Sequence, residues 1–560
     1  MFAQQLLSLL WMTALLQQAA VPPAPPRAAA ASSTFRISGK VIDAITGQPL
    51  ARATVSINPS NTPNNPNLPD AGRFETTDAE GVFVFADVPP AKYVLSARHR
   101  RYISQMYQQH EGFTTAIFVG AGFESENLIF GLRPGASISG LITDEVGDPV
   151  RHANVMLCRQ TLFGGRRRTV QVRNANTIDE GSYHFGNLDP GTYFVAVSAQ
   201  PWYAQHGIRH VVKRENTDYN EGGLQPLSEQ NQTLDVVYPL VFYSNATDIQ
   251  TATPIALHSG DSAVADFHMR PVPAMHALVR TPAPDPEKSV GMWVTQTVAD
   301  NSTIQVPAQV SQIAPGLMEV TGVPQGRYNL VMNSQHGNTV TRRTQSVQLE
   351  NDAEVDATRN ASSLVVSGVL EIEDGSPVPQ PARVRLRASA AGEFWDTIVS
   401  ATGAFSFKDN PVETGKYELM IIEPQGLFIR SLASANAKTS GRSLEIATAQ
   451  DVTVTINASK GNGRITGVAL EKDKPAGGIM IVLAPLDLKS NPALFRRDQS
   501  DSDGTFTLNA VVPGRYTLMA IEDGWDLEWA DPAVLQKYIS GGESVQIAPN
   551  QKTDVSVKVQ

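Results

Sequence analysis

Cysteine is almost missing from this sequence of 560 residues. The single Cys158 excludes an intramolecular disulfide, so the fold must be stabilised by packing alone. Cys158 lies in the alternating run ANVMLCRQ, residues 153–160, which is typical of a strand. Because no histidine or second cysteine lies near it in the sequence, we expect a buried, unreactive thiol.

Motifs of known catalytic centres are also missing. None of the ten histidines belongs to an H-E-x-x-H zinc motif, and no G-x-S-x-G elbow or phosphate-binding glycine loop occurs. Ser262 follows Gly-Asp and precedes His268, but this segment alternates like a strand and no α/β pattern surrounds it. The sequence therefore predicts a protein that is not an enzyme, with no cofactor and no catalytic residue.

Acidic residues cluster in the loop DQSDSDG, where Asp498, Asp501 and Asp503 lie close together. An EF-hand places its ligands at alternate positions and a glutamate at the twelfth. Counted back from Gly504, the loop has no acidic residue at the first or the twelfth position. We interpret it as a hairpin turn whose aspartates accept backbone N–H groups, so no metal ligand is predicted, and calcium binding stays open.

A long apolar run occurs only at the N-terminus, over residues 6–16. Its length is typical of a signal peptide, and a Pro/Ala-rich stretch follows, so residues 1–33 are predicted to be a signal peptide and tether. No later segment could span a bilayer as a helix, which predicts no membrane span in the mature chain. We expect an exported protein (periplasmic, on the cell surface or secreted), and the net charge of −10 argues against nucleic acid as a partner.

Repetition is what the sequence has in abundance. The stretch TDAEGVFVFADVPPAKYVL (77–95) is matched by TIDEGSYHFGNLDPGTYFV (177–195) and SDSDGTFTLNAVVPGRYTL (500–518). Similar openings begin with ISG, ISG, VSG and ITG at residues 37, 138, 366 and 465. Each opening reads as a strand, a Gly/Asp/Pro turn and a second strand, and a hairpin with a turn glycine follows. The turn glycines are Gly81, Gly181, Gly403 and Gly504.

The repeat length identifies the structural unit. At roughly 100 residues, it exceeds the roughly 20–50 residues of a solenoid repeat and fits one small β-sandwich. The fold class is thus predicted to be all-β: five tandem antiparallel β-sandwiches (Ig-like or prealbumin-like) after the signal segment. Their predicted bounds are 34–135, 136–272, 273–361, 362–460 and 461–560, named domains 1 to 5 below. Each ends in a tyrosine expected to hydrogen-bond back across the sandwich end: Tyr93, Tyr193, Tyr328, Tyr417 and Tyr516.

The repeated motifs resemble a known family. The opening, followed by T-D-x-x-G-x-[FY]-x-F and P-x-G-x-Y, is similar to the carboxypeptidase regulatory-like domain, which implies a prealbumin-like sandwich related in shape to starch-binding-like modules. Domains 1 and 2 match nearly in full, domains 4 and 5 partly and domain 3 weakly. In metallocarboxypeptidases this domain accompanies a zinc peptidase with an H-x-x-E pair, which no histidine of this sequence forms. The resemblance therefore implies the accessory fold of exported bacterial proteins without the peptidase.

Aromatic residues outside the repeat core are the candidate ligand contacts. A long insertion in domain 2 and a Trp-rich segment near the C-terminus have the composition of a sugar-binding surface, although packing onto the sandwich edge is the favoured alternative. The candidates are Trp202, Tyr203, Tyr238, Phe242, Tyr243, Trp525 and Trp529.

Three classes of function compete on these observations, and the missing motifs leave little room for one of them, an exported hydrolase with an unrecognised site. Two classes remain. The first is non-catalytic carbohydrate binding through aromatic loops, with a polysaccharide as partner. The second is a structural or adhesion scaffold of the cell envelope that contacts a protein, in which the domains form a rod. The aromatic insertion favours binding, because a pure spacer would be expected to have uniform units.

Overall fold

Strands dominate the structure, a computed structural model that describes residues 34–60, 72–208, 233–281, 289–299, 302–336, 339–358, 364–388, 394–408, 412, 414–488 and 492–560. The predicted signal peptide and tether, and part of the domain 2 insertion, lie outside these residues. The described α-helix is α1 (Pro532–Ile539), which begins where the Asp531 side chain accepts a hydrogen bond from the Ala533 N–H and proline occupies the first turn. The predicted all-β class is confirmed.

The strands of domains 1 and 2 follow the predicted strand–turn–strand pattern. Domain 1 contains β1 (Phe35–Asp43), β2 (Thr54–Pro59), β3 (Arg73–Thr76), β4 (Val82–Val88), β5 (Ala91–Arg98), β6 (Gln105–Met106), β7 (Ile117–Val119) and β8 (Leu128–Leu132). Domain 2 contains β9 (Ala136–Thr143), β10 (Asn154–Phe163), β11 (Arg166–Asn176), β12 (Ser182–Leu188), β13 (Gly191–Ser198), β14 (Val236–Val237), β15 (Val241–Phe242), β16 (Ile255–Leu257), β17 (Ser262–Val264), β18 (Phe267–His268) and β19 (Val272–Pro273).

Domains 3 to 5 continue the series. Domain 3 contains β20 (Met275–Arg280), β21 (Ser289–Ala299), β22 (Ser302–Gln305), β23 (Gln309–Ala314), β24 (Leu317–Val323), β25 (Gly326–His336), β26 (Thr339–Leu349) and β27 (Ala353–Asp356). Domain 4 contains β28 (Val366–Ile372), β29 (Ala382–Ala388), β30 (Phe394–Val399), β31 (Ala404–Ser406), β32 (Gly415–Glu423), β33 (Leu427–Ser434), β34 (Lys438–Ser440), β35 (Ser443–Ile446) and β36 (Val452–Lys460). Domain 5 contains β37 (Gly463–Glu471), β38 (Lys474–Pro475), β39 (Met480–Pro485), β40 (Arg496–Gln499), β41 (Thr505–Val511), β42 (Gly514–Ile521), β43 (Glu543–Ile547) and β44 (Lys552–Lys558).

Each predicted domain has the same two facing sheets. One sheet centres on the opening strand, as in the order β4-β1-β8 of domain 1, and the other on the two strands that follow it, as in β3-β2-β5-β6. A cluster of buried apolar side chains fills each of the five sandwiches. The sheets thus support the predicted division, and the count of five domains stays a prediction.

One strand pair in each domain departs from the antiparallel plan. The opening strand pairs in parallel with a strand from the end of its own domain: β1 with β8, β9 with β17 and β18, β20 with β27, β28 with β36, and β37 with β44. Parallel neighbours need a long crossover connection, which the intervening strands of the domain supply. The pairing places the two ends of each domain side by side.

The glycine of the opening motif permits this parallel pairing. A Cβ atom on Gly39 of β1 would lie 2.2 Å from the Leu128 carbonyl oxygen of β8. The same close approach occurs in three other domains, at Gly140, Gly368 and Gly467. A Cβ there would lie 1.8–2.1 Å from a carbonyl oxygen of the parallel strand, or, for Gly140, of the residue that follows that strand. A side chain there would force the two strands apart, so the repeated glycine follows from the close approach.

The turn glycine and the corner tyrosine behave as predicted. Gly81 has a φ of 74°, and its carbonyl accepts a hydrogen bond from the Val41 N–H at 2.8 Å. The glycines with the same positive φ and the same bond to the opening strand are Gly181, Gly403 and Gly504. Four corner tyrosines donate their hydroxyl to the carbonyl four residues earlier, at 2.6–3.0 Å: Tyr93, Tyr193, Tyr328 and Tyr516. The turn glycines and corner tyrosines therefore stabilise the fold of each domain.

Domain 5 contacts domains 1 and 2 although it lies far from both in sequence. The Asp501 carboxylate accepts hydrogen bonds from the Lys92 ammonium at 2.5 Å and from the Ala116 N–H at 3.0 Å. The tip of the β10–β11 hairpin reaches domain 5 as well, where the Gly165 carbonyl accepts from the Ala530 N–H at 3.2 Å. The contacts bring domain 5 back against domains 1 and 2, which differs from the simple row of domains that the scaffold alternative describes.

Candidate functional site

Trp202 is the most exposed large apolar side chain among the described residues, with 87% of its surface accessible. It lies in the domain 2 insertion next to Tyr203, and the two rings meet edge to face with centroids 5.7 Å apart. An indole in this position offers a broad flat face to solvent. Burying that face would be favourable, so it is suited to contact a flat apolar surface of a ligand.

A carboxylate lies beside this aromatic pair. The Tyr203 hydroxyl donates to Glu145 Oε1, and the Tyr238 hydroxyl donates to Glu145 Oε2 at 2.9 Å. Glu145 belongs to the β9–β10 turn, where Asp144 Oδ1 accepts hydrogen bonds from two backbone N–H groups of the turn at 2.8 and 3.0 Å. The turn therefore holds the carboxylate at the foot of the insertion.

The hydroxyl groups decide the charge of this carboxylate. Burial by itself raises the pKa of Glu145, but hydrogen bonds from Tyr203, from a backbone N–H and from Tyr238, together with the nearby His268, hold that pKa below its ordinary value. Burial and the neighbouring carboxylate raise the pKa of Tyr203 to about 12. At neutral pH the group therefore consists of an ionised Glu145 and two protonated tyrosines, and the carboxylate keeps acceptor capacity for further donors.

The structure thus brings together three of the predicted ligand residues, Trp202, Tyr203 and Tyr238, around Glu145. Tyr238 itself is 5% exposed, so it supports the carboxylate rather than facing solvent. Sequence reasoning missed Glu145, which lies in a turn that recurs in the repeats. We name Glu145, Trp202, Tyr203 and Tyr238 the aromatic site.

Phe242 and Tyr243 lie elsewhere in domain 2. Phe242 is 2% exposed and belongs to an apolar cluster that joins domain 2 to domain 3, with Val298 on the other side. Tyr243 packs at the edge of the domain 2 core, with its ring 6.1 Å from that of Phe267. Neither position supports stacking on a ligand, and their predicted ligand role stays untested.

The junction of domains 2 and 3 also contains a charged cluster that sequence reasoning missed. The imidazole of His276, fully buried on β20, has Nε2 2.7 Å from Asp235 Oδ2 and Nδ1 3.1 Å from Glu319 Oε1. His206 of the insertion lies 3.0 Å from the other Asp235 oxygen. Both ring nitrogens therefore face a buried carboxylate, and removing one partner from such a buried group is costly. The cluster ties the insertion to domain 3.

Trp525 and Trp529 form part of the junction between domains 5 and 1. Trp525 is 8% exposed and stacks on His110 of domain 1, with centroids 4.5 Å apart and planes 5° from parallel. The Arg497 guanidinium lies 4.8 to 5.6 Å from the ring centroids of Trp525, Trp529 and Phe113, and it pairs with Glu111. The two tryptophans therefore pack between domains. The alternative to ligand contact also expected packing, but onto the edge of their own sandwich.

The acidic loop of domain 5 serves the same junction. Lys92 Nζ lies 2.5 Å from Asp501 and 3.2 Å from Asp503, while Asp498 accepts the Thr507 N–H at 2.7 Å. In the part of the chain that the structure describes, no group of three or more His, Cys, Asp or Glu residues could hold a metal ion. The loop's aspartates are engaged by a lysine and by backbone N–H groups, which agrees with the hairpin interpretation.

The two side chains that the sequence offers as nucleophiles, Cys158 and Ser262, lie in ordinary strand positions. Cys158 is fully buried, and burial raises the pKa of its thiol to about 12, so the predicted inert thiol is confirmed. Ser262 lies on the short strand β17 with its hydroxyl 3.0 Å from that of Ser137. Within the described residues, no helix has the length and apolarity needed to cross a bilayer.

Comparison with known proteins supports the class of the first domain. Residues 36–121 match the family model of the carboxypeptidase regulatory-like domain, which confirms the resemblance there. No curated protein matches the chain.

Several solved structures align with the chain at low similarity. A streptococcal ancillary pilin is 12% identical, with 51% of this chain and 99% of that chain covered and a TM-score of 0.19. The Bacillus anthracis TIE protein is 11% identical over 94% of this chain and 74% of that chain, with a TM-score of 0.16. The major pilin RrgB from Streptococcus pneumoniae is 10% identical over 93% and 92%, with a TM-score of 0.16. TM-scores this low carry no argument about function.

Proposed function

We propose that this chain is a non-catalytic, exported binding protein that contacts carbohydrate through the aromatic site of domain 2. The proposal is supported by the exposed indole of Trp202, which meets the ring of Tyr203, whose hydroxyl donates to the ionised Glu145 carboxylate. Sugar rings present an apolar C–H face and a rim of hydroxyls. The first suits the indole, and the second suits a carboxylate that accepts hydrogen bonds.

The docked domains support a binding role rather than catalysis. Strands and turns place the aromatic site on a sandwich that is fixed against domain 3 by the His276 cluster and against domain 5 by the β10–β11 hairpin. A rigid support lowers the entropy that binding costs. We infer no cofactor and no catalytic residue, and export follows from the predicted signal segment at residues 1–33.

A scaffold or adhesion role toward an envelope protein is the second candidate. The contacts between domains 1, 2 and 5 favour it, because they make a stiff body in which several surfaces keep fixed positions. This role and carbohydrate binding are compatible in one protein. They differ in the partner that the aromatic site would contact.

The test is a polysaccharide array probed with purified residues 34–560, the Trp202→Ala variant and a Phe74→Ala control. Phe74 is also an exposed aromatic residue, at 65%, but it lies in domain 1. We expect wild type and the control to bind the same glycans and Trp202→Ala to bind about tenfold more weakly, since buried tryptophans dominate interface energies. A blank array with folded protein would contradict carbohydrate binding, and equal binding by all three proteins would exclude the aromatic site.

A further inference from the structure

A cleft of about 850 Å³ separates domains 2 and 3, and its volume is typical of ligand pockets. One wall comes from the segment after β14, including Asp248 and Gln250, and the other from β21, β25 and β26 of domain 3. Apolar side chains from both domains meet beneath it, among them Phe242 and Val298, each 2% exposed. The floor is therefore a packed surface rather than open space.

Side-chain amides give this cleft its chemical character. Those of Gln250, Gln296, Gln325 and Gln348 line it, and none of these four makes a side-chain hydrogen bond within the part of the chain that the structure describes. An amide offers two donors and one acceptor group with two lone pairs. The four together match a ligand that donates and accepts hydrogen bonds along its length, as vicinal hydroxyls do.

The charges at the cleft cancel. Apart from the buried Tyr328, the ionisable side chains among the described lining residues are Asp248 and Arg327, one of each sign. A ligand with a large net charge would find no matching field in such a site. The cleft is therefore suited to a neutral ligand.

The sheet topology argues against a peptide in the cleft. Gln296 lies on β21 and Asn329 on β25, and both are interior strands of the order β22-β21-β25-β26. Their backbone groups are paired within the sheet, whereas peptides add to sheets by pairing with a free edge. Of the domain 3 strands that line the cleft, only β26 is an outer strand, and a peptide paired with it would extend the sheet instead of lying across β21 and β25.

We propose that this cleft is a second binding site, which takes a neutral, hydroxyl-rich ligand: a segment of an uncharged polysaccharide. The proposal shares its ligand class with the proposed function but depends on different residues. Because the buried His276 cluster joins domains 2 and 3 at the same junction, the two walls are held in place before the ligand arrives.

The experiment measures glycan affinities of four full-length proteins by calorimetric titration, with oligosaccharides selected on an array. The proteins are wild type, Gln296→Ala/Gln348→Ala, Trp202→Ala, and the control Gln305→Ala/Gln312→Ala, whose exposed amides lie in domain 3 outside the cleft. We expect wild type to bind neutral oligosaccharides at two sites. The cleft variant should keep the binding step of the aromatic site and lose that of the cleft, whose affinity falls at least about tenfold, and the control should match wild type. Matched thermal melts of the variants establish that folding is unchanged.

Each other outcome overturns the proposal. Wild-type affinity in the cleft variant, together with loss in Trp202→Ala, would place all binding at the aromatic site and leave the proposed function standing. Selection of charged glycans or of peptides by the cleft would refute its ligand class. Absence of glycan binding in every protein would remove both the cleft proposal and the proposed function.

Discussion

Replacing Arg497 by alanine should weaken the docking of domain 5 on domain 1 while both stay folded. The Arg497 side chain is 6% exposed and lies against three aromatic rings and the Glu111 carboxylate. Phe113 and Glu111 belong to domain 1, whereas Trp525 and Trp529 belong to domain 5 with Arg497 itself, so only the first two contacts are lost when the domains separate. The cation–π contact with Phe113 contributes about 1 kcal/mol. The ion pair with the partly exposed Glu111 adds up to about 1 kcal/mol.

The total across the junction of about 2 kcal/mol corresponds to a factor of roughly 30 in the docking equilibrium. Hydrogen exchange measures this directly, because the Ala116 and Phe118 N–H groups donate to Asp501 and Ser502 across the junction at 3.0 and 2.8 Å. Their protection should fall by up to that factor, while amides of domain 4 keep wild-type protection.

The matched control is Arg515→Ala, an exposed arginine of the same domain, which should leave exchange unchanged. If residues 113–120 and 498–504 exchange at wild-type rates in Arg497→Ala, the guanidinium does not hold the junction. The reasoning about cation–π packing would then be refuted.

Two further substitutions test the buried charges. Burial raises the pKa of Asp498 to about 6, above its ordinary 3.8, so its contribution to stability is fully present below pH 3.8 and lost as pH rises through 6. Asp498→Asn should therefore raise stability at pH 8 by about 3 kcal/mol and leave it unchanged at pH 3.5, and calorimetric melts that show equal effects at both pH values would contradict this. His276→Gln, which removes the imidazole that lies between two buried carboxylates, should cost about 3–5 kcal/mol in a denaturant titration, whereas His258→Gln, at a side chain that is 89% exposed, should cost less than about 1 kcal/mol in the same titration.

Local motifs allowed much of the fold to be predicted. A positive φ at Gly81 and a back-bonded hydroxyl at Tyr93 depend on residues a few positions away, so the pattern that repeats them identifies the turn and the corner directly. The parallel pairing of β1 with β8 was missed because nothing local encodes it. The one sign of this pairing in the sequence is the glycine of the opening motif, Gly39, which is needed because β8 passes close to it.

The site was predictable in part for the same reason. An aromatic insertion indicated where Trp202 and Tyr203 would lie, but Glu145 sits in a turn that looks like every other turn of the repeats. Contacts between domains 1 and 5 join residues 384 or more positions apart, such as Gln499 and Thr115. Composition gives no sign of such partners, so Trp525 looked like a ligand contact when it packs on His110.

Carbohydrate binding is the central claim, and its most direct test is calorimetric titration of residues 34–560 with an oligosaccharide from an array-selected polysaccharide. The account predicts saturable binding that Trp202→Ala weakens about tenfold, because the exposed indole supplies the main apolar contact. Heats equal to dilution for every soluble oligosaccharide, with a folded protein, would contradict it and leave the docked domains as a scaffold for a protein partner.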